Sequence, residues 1–141
     1  MNNQRRNVLK SGSGAALLTV LASAGIITPG MALADWNKAA FDAKSMADTL
    51  KAIGAGTPTD SKDVQVTGPD IAENGAVVPV GVSSPLPNVT MVAILIEKNP
   101  NALSATFTLP EGTEANVQTR VKMGQTSNVY ALVKSDGKFF M

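Results

Sequence analysis

Residues 128–141 read NVYALVKSDGKFFM. Asn128 to Lys134 is a largely apolar, strand-like run, and Lys138-Phe139-Phe140-Met141 looks like the start of another after Ser135-Asp136-Gly137. An Asp-Gly pair between two strand-like runs is a strong two-residue hairpin signal, because both turn positions need positive φ. The stretch therefore predicts antiparallel pairing. The outgoing run needs a returning strand of similar length, yet only four residues follow Gly137. Ladder hydrogen bonds would be left without partners, so the reading expects a further strand after Met141. The printed chain is taken as C-terminally incomplete.

Upstream, the same texture repeats. Asn116 to Met123 alternates cleanly: Val117, Thr119, Val121 and Met123 share one face, and Asn116, Gln118, Arg120 and Lys122 the other. Val89 to Ile96, VTMVAILI, is apolar enough to be buried on both faces. Val78, Val80 and Val82 share a face, with Pro79 suited to an edge or a strand start. Val64-Gln65-Val66 and Ala105 to Leu109 are shorter pieces. Gly68-Pro69, Glu73-Asn74-Gly75, Ser84 to Asn88, Asn99-Pro100 and Pro110-Glu111-Gly112 punctuate them. Short strands, frequent turns and no helix between strands predict a mainly β fold, an antiparallel β-sandwich. One helix precedes it, from Asp35 to Ile53. Trp36, Ala40, Ala43, Met46 or Ala47, Leu50 and Ile53 form a stripe at helical period, Asp35 caps it, and Gly54 to Pro58 stops it. The stripe predicts packing against a sheet.

The first 34 residues have the order of an export signal. Arg5 and Arg6 lead a weakly apolar run from Ala15 to Ile27, and Ala32-Leu33-Ala34 supplies the small-residue cleavage site. Paired arginines before a Gly/Ser/Thr-diluted core fit the twin-arginine route. Spanning a bilayer takes about 20 apolar residues, and this run is interrupted too often, so no membrane anchor is expected after cleavage behind Ala34. The mature chain is then residues 35–141 (141 − 34 = 107 residues). Losing Arg5, Arg6 and Lys10 leaves 9 basic residues (12 − 3) against 11 acidic. That balance gives nucleic acid no basic surplus to bind.

There is no Cys and no His in the 141 residues. Imidazole catalysis, thiol nucleophiles, thiolate or imidazole metal ligation and disulfides are excluded within them. The six methionines invite a copper reading, but Met46, Met91, Met123 and Met141 fall on packing stripes or strands, as gap-filling core residues do. Glu111 and Glu114 flank Thr113 without calcium-loop spacing, and Glu97-Lys98 reads as a solvated turn. Arg120 and Lys122 form a solvated or partner-facing row. No catalytic, cofactor-binding or metal residue emerges.

Several stretches resemble the SoxY family, sulfur-carrier subunits of bacterial thiosulfate oxidation. They are Ile96 to Pro100 ahead of Ala105-Thr106-Phe107, Val117 to Met123, Gln125 to Val129 with Ala131, and Asp136 to Met141. The resemblance covers 35–141 and implies an immunoglobulin-like β-sandwich with no catalysis and no cofactor of its own. It also implies a periplasmic location, a heterodimer with the small β-protein SoxZ, and transient contact with other Sox enzymes. Family members continue through another strand to a Gly-Gly-Cys-Gly-Gly tail whose thiol holds sulfur intermediates covalently. Neither is printed here, so no residue receives the attachment role. The alternative is a stand-alone immunoglobulin-like binding module of the cell envelope. A small redox or metal-dependent enzyme is the least favoured reading.

Overall fold

The computed structural model describes residues 37–141. The expected signal residues Arg5, Arg6, Ala32 and Ala34, and the expected cap Asp35, lie outside them. Two short helices come first, α1 (Lys38–Asp42) and α2 (Met46–Ile53). Seven strands follow: β1 (Gln65–Thr67), β2 (Val78–Ser84), β3 (Val89–Ile96), β4 (Leu103–Thr108), β5 (Ala115–Val121), β6 (Val129–Ser135) and β7 (Lys138–Phe140). All strand pairs are antiparallel, in one sheet ordered β1-β2-β5 and another ordered β4-β3-β6-β7. The chain is mainly β, an immunoglobulin-like β-sandwich preceded by helix.

The single helix expected over 35–53 is corrected to two. Ala43 leaves the helical region, with ψ 135°. Ser45 then starts α2 by accepting from the Asp48 N–H through its side chain, at 3.1 Å. The apolar stripe could not reveal this, because a serine between Lys44 and Met46 serves as well inside a helix as at a cap. Asn37 caps α1 by accepting from the Ala40 N–H. Gly54, in the left-handed region at φ 81°, closes α2 as expected.

Both faces of the β4-β3-β6-β7 sheet are covered, and the inner face of the other sheet. Between the sheets, Val78, Val80 and Val82 meet Val92, Ile94, Ile96, Ala131 and Val133, with Ala115 and Val121 from β5. On the opposite face, Ala93, Leu95, Leu103 and Leu132 pack with Ala40, Phe41, Met46, Leu50 and Ile53 of the helices. The helical stripe thus covers a sheet, as its period predicts. Five of the eight β3 residues, Val92 to Ile96, are fully buried, because both faces of this central strand are covered.

Two prolines decide where β1 and β2 part. Thr67 pairs with Gly81, so Pro69 falls opposite Pro79 in the same register. Neither ring has an N–H to donate, and the ladder stops. Pro79 has only β5 beside it, pairing with Arg120. The β6–β7 turn is of the expected kind, with Asp136 at φ 48° and Gly137 at φ 76°.

Candidate functional site

The turns on either side of the β3–β4 and β5–β6 connections interlock at one end of the sandwich. The Glu97 N–H donates to Asn128 O (3.2 Å), and Asn128 Nδ2 returns a bond to Glu97 Oε2 (3.0 Å). The Lys98 N–H donates to Ser127 Oγ at 3.0 Å, and Gln125 Nε2 to Lys98 O at 3.2 Å. Asn99 Nδ2 donates to Lys122 O at 2.7 Å, while the Gly124 N–H donates to Asn99 Oδ1 at 3.1 Å. Glu97-Lys98 is the exposed turn read above, and it also forms one half of a polar clasp. Nothing local in the sequence signals it, since each bond joins residues 23–31 positions apart.

Beside the clasp runs a groove of about 430 Å³ between the 66–72 segment and the 123–129 loop, floored by Val78, Val80, Met123 and Val129. Ile71, on its rim, is 85% exposed, with Val66 also partly exposed. The other end of the sandwich carries the β6–β7 hairpin, where Asn88 Nδ2 donates to Asp136 Oδ1 at 2.8 Å. The Lys134 ammonium sits 5.4 Å from the Phe139 ring centroid.

On its outer side β7 is paired. The Thr59 N–H donates to Phe139 O, the Met141 N–H to Thr59 O and the Ser61 N–H to Met141 O, at 2.9–3.0 Å. The hairpin register runs Val133↔Phe140 to Ser135↔Lys138. Among the described residues no strand lies opposite Val129–Leu132 on this side. The same register, extended, leads along β6 toward Val129, the groove and the clasp.

The methionines divide between the two cores: Met123 packs between the sheets, while Met46, Met91 and Met141 pack under the helices. They form no common ligand set. Glu111 and Glu114 stand exposed in the β4–β5 turn. Among the described residues no group of three or more His, Cys, Asp or Glu could hold a metal. Arg120 on β5 and Lys122 just past its end stand exposed, as their alternation predicts. Among the described residues Asp42 is held below the usual carboxylate value by its hydrogen bond from Lys38 and by that residue's charge. It is a surface pair on α1 and has no bearing on chemistry.

The two antiparallel sheets, one of them covered by the helices, define the class of immunoglobulin-like β-sandwich proteins. Residues 50–141 match the family described as sulfur oxidation protein SoxY, and the chain belongs to that family. A solved structure, the sulfur carrier protein SoxY from Chlorobium limicola f thiosulfatophilum, superposes with a TM-score of 0.61 at 31% identity. The match covers 75% of this chain and 93% of that one. Among curated proteins none matches.

Proposed function

We propose that this chain is a periplasmic carrier of sulfur compounds in thiosulfate oxidation, not itself an enzyme. Membership of the SoxY family is the observation that carries the reading, supported by likeness to a solved SoxY described as a sulfur carrier. In this reading the leader is removed behind Ala34 after twin-arginine export, and the mature protein works as a heterodimer with a SoxZ-like β-protein. Intermediates ride on a cysteine arm that follows Met141, and other Sox enzymes act on them in turn.

The physical case rests on division of labour. A sandwich whose 141 printed residues contain no Cys and no His offers no thiol or imidazole to compete for the cargo. A strand continuing the β7 register would satisfy the open backbone groups of Val129 and Ala131 and then leave the sheet beside the groove and the clasp. Glycines flanking a single thiol would keep the arm thin and mobile, able to enter an enzyme pocket while the globule stays outside. Tethering also keeps the cargo at high local concentration near each successive enzyme.

Intact-mass measurement of the native mature protein, before and after thiol alkylation, tests the proposal. The expected result is a mass above that of residues 35–141, one alkylatable thiol, and a covalent adduct after exposure to thiosulfate and the oxidising enzymes. A native product that is residues 35–141 and nothing more sinks the reading.

A further inference from the structure

We infer that the open edge of β5 is a docking site for an extended, acidic segment of a partner protein, added as an extra strand. This stands apart from the carrier reading and uses neither an arm nor a thiol. β5 is an edge strand, paired only to β2. Its outward-pointing backbone can be identified from the bonds at its end. The Met123 N–H donates to Gly75 O, toward the β2 side. Lys122 O and the Gly124 N–H point the opposite way, into the Asn99 side chain. The β2–β5 register is unbroken from Ala115 to Val121, so the N–H and C=O of Gln118 and Arg120 point to the same open side.

Asn99 shows what the edge accepts. Its amide gives Lys122 O a donor and the Gly124 N–H an acceptor, as a residue of an added strand would. It closes the end of the edge and leaves Gln118 and Arg120 open beside a groove of about 610 Å³ that separates β5 from the β4 edge.

Charge selects the occupant. Arg120 on the exposed outer face of β5 and Lys122 just past the strand's end stand two residues apart, and neither has an ion-pair partner among the described residues. The groove lining contains no Asp or Glu. A strand paired with β5 places its own alternate side chains over that face, at the same two-residue repeat. Carboxylates at positions j and j+2 of the incoming segment therefore match the two cations. A second copy of β5 would set like charges together, which disfavours self-pairing here. The facing wall, Leu103-Ser104-Ala105, is uncharged and adds no competing preference. Strand addition supplies affinity through main-chain bonds and specificity through alternate side chains.

The test uses the mature protein with two synthetic peptides, one alternating Glu with Val and one alternating Lys with Val, followed by backbone amide exchange and binding titration. The Glu peptide is expected to slow exchange at Gln118 and Arg120 while the Lys peptide leaves them unchanged. Reversing Arg120 or Lys122 to Glu should weaken binding of the Glu peptide by up to roughly fivefold each, the scale of an exposed ion pair. Gln118→Pro removes an outward N–H without touching the β2 ladder, so it should keep the melting temperature and lose protection at Arg120. Protection at Ser104 and Thr106 instead, equal binding of both peptides, or indifference to the charge reversals would overturn the assignment.

Discussion

Asn99 both donates to Lys122 O and accepts from the Gly124 N–H, so one side chain fastens the β3–β4 turn to the end of β5. Removing it leaves two exposed backbone groups to water. Asn99→Ala should lower unfolding stability by about 1–2 kcal/mol, read from urea melts. Asn99→Asp should not restore it, since a carboxylate can accept from Gly124 but cannot donate to Lys122. A second residue-scale outcome concerns Asp42. Its carboxyl loses its proton more readily in the fold than in the unfolded chain, because Lys38 donates a hydrogen bond to it and brings a positive charge. Whatever that pair contributes is present above the unfolded pKa and disappears as pH falls through the lower folded value. Carbon-detected NMR titration should place Asp42 below an ordinary aspartate, and Lys38→Ala should return it to the ordinary range. Both side chains are largely exposed, so salt should weaken the effect.

Among elements, the hairpin and the second helix were built from signals of unequal visibility. Asp136-Gly137 announces its turn because few residues tolerate positive φ, and the structure has φ 76° at Gly137 with open space where a Cβ would stand. Gly137→Ala therefore meets no neighbour and suffers only backbone strain, an expected loss of about 1–2 kcal/mol. Ser45→Ala should destabilise α2 by about 1 kcal/mol through loss of its cap, seen as a smaller helical signal and an earlier melt. The pairing of 59–61 along β7 is separable from both. Thr59→Pro deletes the N–H that bonds Phe139 O, so the Met141 amide should exchange faster while Val92 to Ile96 stay protected.

At the scale of the molecule, β3 and β6 hold the described residues together by serving two cores at once. Val92, Ile94 and Val133 face the second sheet, while Ala93, Leu95 and Leu132 face the helices. Loosening either core disturbs strands that the other requires. Residues 37–141 are expected to unfold in a single transition, with helical and sheet signals lost together. Leu132→Ala, at a fully buried site, should cost about 2–5 kcal/mol and shift both signals equally. Independent melting of the helices would refute this coupling.

The sequence by itself determined the strands, the antiparallel sense of the last hairpin, the sheet-packing stripe of the helices and the exposed Arg120–Lys122 row. Each depends on residues within a few positions of one another, where period and φ restrict the choices. Only the tertiary structure decided that the helix breaks at Ala43, that the β1–β2 ladder ends at Thr67 and Gly81, and that Glu97 to Asn99 clasp Lys122 to Asn128. Those outcomes depend on polar side chains and backbone groups brought together by folding. A polar residue's spacing in the chain does not say whether its partner will be water, its own backbone or a distant loop.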